Sequence, residues 1–395
     1  MTKAIPRLLV LGSTFPATPG DGVPGFVRDL SVRESTAFDV LVLTPAGPRA
    51  ARRETIGPVA VRRFRYFPRR YEDLAAGAII ENLHSRPSRW LQVLPLMAAE
   101  YLAVVRAVRT FRPDVIHAHW IIPQGLVAML AAPHVPRLVT THGGDLYALN
   151  APVLRWLKGR VVRSARTVTA MNEEMADVAR ALGGRDVRVR SMGADLATFR
   201  PIALRREPRT TGDLRVVFVG RLVEKKGLSV LLDALPAVSA NVTLTVVGDG
   251  PLRGALEARA RGAPVRFLGQ LGRERLVEVY AAHDVAVAPS VVAASGDKDG
   301  LPVALLEAMG AGLAVVASRL PGIDEAIEDG TSGLLVPPGD PAALARAVDH
   351  LAADRDDLVR LSGGAAARAE AYGIDAVGDT YVTILDEMIR RPDGR

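Results

Sequence analysis

Short runs of Val, Leu and Ile alternate with longer helical patterns along the chain, and this alternation leaves few folds open. In the first half the runs fall at 7–12, 39–44, 59–66, 114–118, 137–141, 167–171 and 187–191. In the second half they fall at 215–220, 242–247, 265–269, 285–289, 313–317 and 333–336. Most are continuously apolar rather than alternating, as a strand covered by helices on both faces must be. A repeated β-then-α order of such strands predicts a doubly wound parallel sheet, here twice over. At 395 residues the chain exceeds what one core organises, so two Rossmann-like α/β domains are expected, 1–200 and 201–374. The boundary is expected between Phe199-Arg200-Pro201 and Thr211-Gly212-Asp213, a polar stretch broken by prolines. In the remaining 375–395, Asp375 to Arg391 read as one amphipathic helix. Two such domains facing each other form a cleft at the carboxyl ends of their strands, where open α/β sheets bind ligands.

Composition narrows the class further. Hydrophobic residues make up 49% of the chain, enough for two cores, and there is no cysteine. Disulfide frameworks, thiolate chemistry and cysteine metal sites are therefore excluded, and a cytoplasmic setting fits. The apolar run after Arg7 ends at Gly12-Ser13-Thr14-Phe15-Pro16, too short for a signal peptide, and reads as a first buried strand. No uninterrupted apolar stretch approaches the roughly 18 residues of a membrane span. Residues 1–200 carry 28 Lys and Arg against 16 Asp and Glu, and the remainder 22 against 27, within a net charge of +7. A basic first half suits an anionic partner such as phosphate, an acidic lipid surface or nucleic acid. An arginine-rich composition accounts for the total charge but not for its asymmetry.

The segment Asp299-Gly300-Leu301-Pro302-Val303-Ala304-Leu305-Leu306-Glu307 carries two carboxylates, one in a glycine–proline loop and one on an apolar helical run. Pro302 suits the first turn of a helix, whose leading N–H groups have no intrahelical partner and can hold an anion. A loop carboxylate, a helix start and a second carboxylate two turns on fit a polyol carried on a phosphate. Upstream, the run Val216 to Gly220 ends at Arg221, with Lys226 shortly after. Arginine forks onto two phosphate oxygens and lysine adds a point charge. Gly248-Asp249-Gly250-Pro251 is not a nicotinamide fingerprint, because the third glycine comes one place late at Gly254. It reads as a tight strand-to-helix turn. In the first half, His142 follows a strand and precedes Gly143-Gly144-Asp145, which places it open to a cleft. His117 and His119 share one strand face. No further ligands with metal-site spacing accompany them, so no metal is expected. His119 and Trp120 are expected to line the acceptor side. Asp145 either contacts acceptor or caps the next helix.

As a set, these segments resemble the retaining family 4 glycosyltransferases, which have the GT-B fold of two doubly wound Rossmann-like domains. The pair Asp299 and Glu307 resembles the family's E-x7-E signature, with aspartate where glutamate is usual. Gly220-Arg221 through Lys226-Gly227 resembles its diphosphate site, Gly248 to Leu252 its second-strand turn, and Ser332 to Asp340 its closing strand. The resemblance implies that Arg221 and Lys226 hold the donor diphosphate and stabilise the leaving group. It implies that Glu307 binds the ribose hydroxyls, that Asp299 contacts the donor sugar, and that Gly300, Leu301 and Pro302 lie against the donor. His142 resembles the histidine that approaches the donor sugar. Phe267-Leu268-Gly269-Gln270-Leu271 resembles the segment whose backbone reads the base, with Gly269 and Leu271 as donor contacts. Phe15 to Phe26 takes the place of the glycine-rich loop, with Gly25 preferred to Gly22. In the family the final helix crosses back onto the first domain.

The implied function is metal-independent transfer, with retention, from a UDP- or GDP-sugar to a hydroxyl acceptor, a glycolipid or polysaccharide intermediate. No cofactor is needed beyond the donor, and no nucleic-acid partner is expected. Arg62 to Arg70, with Arg86, Arg89 and Trp90, mixes arginine with aromatics, so contact with an anionic membrane on its cytoplasmic face is the favoured reading. The alternatives are a sugar-nucleotide epimerase or hydrolase on the same fold, or a non-enzymatic basic module binding nucleic acid or membrane.

Overall fold

The computed structural model of the protein describes residues 5–16, 25–47, 50–75, 79–147, 151–206 and 211–390. The chain divides into two compact units, one running to Met192 and resuming at Val377, the other spanning Gly193–Ala376. The division thus falls before the polar segment at 201–213 in which the sequence placed it. The chain from Gly193 is already tied into the second unit, because Ala194 donates to the Tyr372 carbonyl at 2.9 Å and accepts from Ile374 at 2.7 Å.

In the first unit the described strands are β1 (Arg7–Leu11), β2 (Asp39–Pro45), β3 (Arg53–Ile56), β4 (Val59–Phe64), β5 (Val115–His119), β6 (Arg137–Thr140), β7 (Thr167–Ala170) and β8 (Val187–Val189). They form one sheet in the order β3-β4-β2-β1-β5-β6-β7-β8. Every pairing is parallel except that of β3 with β4. β3 is absent from the sequence reading. Its residues Arg53-Glu54-Thr55-Ile56 hold no apolar run, and they form an edge strand against β4. In the second unit β9 (Leu214–Val219), β10 (Val242–Val247), β11 (Val265–Gly269), β12 (Val285–Ala288), β13 (Ala314–Ser318) and β14 (Leu334–Val336) form a parallel sheet in the order β11-β10-β9-β12-β13-β14.

The apolar runs follow from burial on both sheet faces. Val216 and Phe218 enter one core of the second unit, while the intervening Val217 enters the other, with Ala286 and Val315. Both sheets reverse strand order beside their first strand, at β1/β5 and at β9/β12. Crossovers leave on opposite sides at such a point and open a crevice at the strands' carboxyl ends. His119-Trp120 and Gly220-Arg221 lie at those ends.

The last helix, Ile374–Arg390, buries Val377, Tyr381, Ile384, Leu385 and Met388 at helical spacing. It is fastened to the first unit by Arg33 to Asp379, by Arg188 to Glu387 at 3.0 Å, and by Arg166 to the Met388 carbonyl at 2.8 Å. A Cβ on Gly378 would meet Arg33, so the helix sits close against Phe26–Glu34. One segment, Pro87–Phe111, is long and apolar enough to span a membrane by length and composition, although Arg89, Glu100, Arg106 and Arg109 interrupt its apolar run. Glu100 lies within it, and Val104 and Ala107 pack into the core of the first unit.

Candidate active site

In the second unit the site is built where β9 ends. The strand runs into Gly220 and Arg221, and a single 3-10 turn, Glu224–Lys226, is closed by Gly227 at φ +64°. A Cβ there would stand 1.8 Å from the Pro289 carbonyl oxygen, so only glycine lets this turn lie on the segment after β12. Gly248, at φ +136°, likewise places its Cα against the Gly220 carbonyl, where a Cβ would be 1.8 Å from the oxygen. The Gly-Asp-Gly turn is therefore a packing device beside the β9 end, in line with its reading as a tight turn.

That close packing brings the loop before Asp299 onto the lysines. Lys226 Nζ is 2.9 Å from Asp299 Oδ2, and Lys225 Nζ is 2.9 Å from Asp297 Oδ2. Asp299 is 8% exposed and also accepts the Ser290 hydroxyl at 2.9 Å. Burial alone would raise its pKa, but Lys226, Lys225 and Ser290 together hold the carboxyl below its ordinary value. Burial lowers the pKa of the half-buried Arg221 guanidinium. Lys225 thus forms a second ion pair beside that of Lys226.

Gly300 and Leu301 are half-buried, and the buried Pro302 precedes the helix Val303–Gly310, which starts without a side-chain cap. Glu307 sits half-buried on its second turn. Tyr280 donates to the Ala304 carbonyl at 3.0 Å, and burial, then Glu307, pushes its phenol well above the ordinary value. A small pocket is lined by Phe218, Lys226, Tyr280, Ser290, Pro302 and Leu305. Gly269, at φ +71°, ends β11 and accepts the Gly248 N–H at 2.8 Å, and Leu271 packs half-buried against the core.

In the first unit the carboxyl ends of β5 and β6 bring three histidines together. His117 and His119 stack at 4.2 Å between ring centroids, and His119 Nδ1 lies 3.2 Å from His142 Nε2. Burial, with the neighbouring histidines, holds His119 well below its ordinary pKa, and burial, then His117, brings His142 down to about 3. Both rings are neutral at physiological pH. His117 is bound on one side by Glu34 Oε1 and on the other by Thr140 Oγ1, each at 2.7 Å. Glu34 escaped the sequence reading, because nothing marks the end of a helix 83 positions away as a histidine partner.

Two first-unit expectations, those for His119 and Asp145, need correcting. His119 is fully buried and faces other histidines, so it lines no open surface. His142 is half-buried, its ring packed on Trp120 at 4.5 Å and Phe26 at 5.2 Å. Asp145 is buried and accepts the backbone N–H groups of His142 and Ile121, each at 2.9 Å. It fixes the turn that carries His142, and its burial keeps it from a surface contact with an acceptor. Trp120 is half-buried, with φ at +75°.

Gly25 directly precedes the helix Phe26–Glu34, and a Cβ there would press on the Arg28 guanidinium. Residues 17–24 of the proposed glycine loop, including Gly20 and Gly22, lie outside the described residues. The basic–aromatic segment is only partly a surface. Arg63 is buried against Glu54 and the Pro16 carbonyl, Tyr66 is buried, and Arg89 pairs with Asp73 at 2.8 Å. Arg62, Arg69, Arg70, Arg86 and Trp90 remain exposed. Among the described residues no group of three or more His, Cys, Asp and Glu could hold a metal ion.

The chain matches the family model for glycosyl transferase 4-like domains over residues 32–194 and that for glycosyl transferases group 1 over residues 213–354. It is 37% identical over 164 residues to the amylovoran biosynthesis glycosyltransferase AmsK of Erwinia amylovora, a match covering 40% of each chain. Among solved structures, sucrose-phosphate synthase from Thermosynechococcus elongatus superposes with a TM-score of 0.78 at 20% identity, covering 97% of this chain and 99% of that one. HepE of Anabaena in complex with UDP-glucose superposes with a TM-score of 0.69 at 20% identity, covering 96% and 99%. At such identities the structural likeness speaks for the fold, and the two family models speak for the chemistry. The chain belongs to the family 4-type glycosyltransferases of the GT-B fold.

Proposed function

We propose that this glycosyltransferase moves a sugar from a UDP- or GDP-sugar to a hydroxyl acceptor, with retention and without a metal, in the assembly of a polysaccharide or glycolipid. The observation that carries the donor side is the cation set Arg221, Lys225 and Lys226 at the end of β9, in the same unit as Glu307 on the helix Val303–Gly310. Arg221 and Lys226 take the diphosphate, Glu307 the ribose hydroxyls, and the backbone around Gly269 and Leu271 the base. In this reading the C1–O bond to the diphosphate breaks as the acceptor oxygen bonds to C1 on the same face. The acceptor proton passes to a leaving phosphate oxygen. The chain supplies cations for the developing negative charge, and orientation. His142, held neutral, can give or take a hydrogen bond to the sugar without adding charge. HepE, solved with UDP-glucose, and AmsK, named for amylovoran biosynthesis, support a UDP-sugar and a polysaccharide acceptor.

The first unit would meet the acceptor at an anionic membrane. The helix Val93–Phe111 and the turn before it expose Leu91, Leu94, Tyr101 and Leu102, beside the exposed Trp90, at 40% to 78% of their surface. Arg86 precedes the stripe, and Arg106 and Arg109 follow it, all three exposed. An apolar stripe with cationic ends matches a bilayer interface.

Release of nucleoside diphosphate from a panel of UDP- and GDP-sugars, with and without extracted lipid-linked saccharides, tests transfer. The anomeric proton coupling of the product tests retention. Acceptor-dependent release that persists in chelator is expected. Release of free sugar at the same rate without acceptor would favour a hydrolase, and the opposite anomer would end the retaining reading.

A further inference from the structure

Both lysines of the β9 turn are ion-paired by the facing loop. Asp299 is the more committed of the two carboxylates, being buried, 2.9 Å from Lys226, 2.9 Å from the Ser290 hydroxyl and 4.0 Å from Lys225. Its short side chain matters here. A glutamate at this position would carry its carboxylate about one carbon–carbon bond farther, past the lysine. Asp297 does the same for Lys225. Lys225 and Lys226 therefore each have a carboxylate counter-ion.

We infer that Asp299 acts on the donor through Lys226, as the counter-ion that orients its ammonium and offsets its charge, and does not contact the donor sugar. The inference rests on the assignment of Lys226 to the donor diphosphate. A lysine ammonium has three N–H donors, so the bond to Asp299 fixes its direction and leaves the others for phosphate oxygens. The charge of the carboxylate works against diphosphate binding at the same time. Asp299 thus keeps the nucleotide product from being held as tightly as the bare cations would hold it. A sugar-contacting residue and a counter-ion differ in sign and in target. Removing the former weakens the sugar nucleotide alone, whereas removing the latter tightens sugar nucleotide and free diphosphate alike.

The test is calorimetric titration of the full chain with UDP and UDP-glucose, and with GDP and GDP-mannose as a second pair, read on the pair that the wild type binds. Asp299→Asn is expected to tighten both members about tenfold, the scale of one unit charge acting through a partly screened medium, and to leave their ratio unchanged. Affinity should also fall more steeply with added salt. In a Lys226→Gln background the same substitution should tighten binding clearly less than in the wild type, a dependence on Lys226 that a merely structural role for Asp299 would not produce. Asp299→Ser carries the same expectation should the Asn variant fail to fold. Weaker binding of the sugar nucleotide with the diphosphate unchanged would overturn the inference in favour of a sugar contact. Unchanged or weaker binding of both, or tightening as large in the Lys226→Gln background as in the wild type, would overturn it too. A wild type that binds neither pair would instead remove the donor-site assignment on which the inference stands.

Discussion

Glu100, on the inner side of the helix Val93–Phe111, is fully buried, and its oxygens have no hydrogen-bond partner among the described residues. Burial, only partly offset by Gln124 beside it, pushes its pKa from 4.5 up to about 8. The folded state therefore keeps the proton that the unfolded chain releases. Stability from this group is full below the unfolded value, is lost as pH rises towards about 8, and is flat above it. Each unit of that interval costs about 1.4 kcal/mol at most. Urea unfolding between these limits should show falling stability for the wild type and a flatter profile for Glu100→Gln. Equal slopes would mean that the carboxyl has a partner. Asp145 allows a second prediction. Asp145→Ala strands two N–H groups and should cost roughly 2–4 kcal/mol, with the His142 turn loosened. A loss below about 0.5 kcal/mol, within the range of ordinary surface substitutions, would contradict the clamp. The spacing His142-Gly143-Gly144-Asp145 allowed a cap or an acceptor contact, and only the position of Ile121 decides between them. The charges of the donor side were legible because arginine and lysine at a strand end have few other uses. Their pairing with Asp297 and Asp299 was not, because it depends on how two loops meet.

Elements were read well where burial on both faces writes a continuous apolar run, as in β1, β2 and β13. Edge strand β3, with a charged sequence and a single partner, has no such signature. The turn glycines carry a prediction at this scale. Gly227→Ala would force a left-handed conformation costing about 1–2 kcal/mol and press a methyl onto the Pro289 carbonyl. Lower stability and weaker nucleotide binding together are expected, since the displaced turn carries Lys226. An unchanged melting temperature would mean that the two loops are free to part. The helix Val93–Phe111 carries another. Leu94→Glu with Leu102→Glu should abolish flotation with anionic vesicles at about 150 mM salt without lowering the melting temperature, because both side chains are already solvated. A wild type that fails to float would remove the membrane assignment.

At the scale of the molecule, the two parallel sheets follow from the repeated β-then-α pattern, while their strand order is visible only in the structure, because a β-then-α repeat does not say which strands lie side by side. The path of the final helix was stated only through resemblance, since amphipathicity says that a helix packs but not on what. Its buried Val377, Tyr381, Ile384, Leu385 and Met388 each contribute about 1.5–3 kcal/mol, which together rival the stability of a whole domain. A chain ending at 376 should lose the cooperative unfolding of its first unit while its second unit still binds nucleotide. Retention of two full transitions would contradict the packing of the helix. Thermal unfolding with UDP, GDP, ADP and NAD tests whether the second unit binds a sugar nucleotide through Arg221 and Glu307. One nucleoside diphosphate at about 100 times its dissociation constant should stabilise the fold by roughly 2.7 kcal/mol. Arg221→Ala and Glu307→Ala should each lose that response. A shift with NAD alone, with none of the four, or one retained in both variants would contradict sugar-nucleotide binding at Arg221 and Glu307.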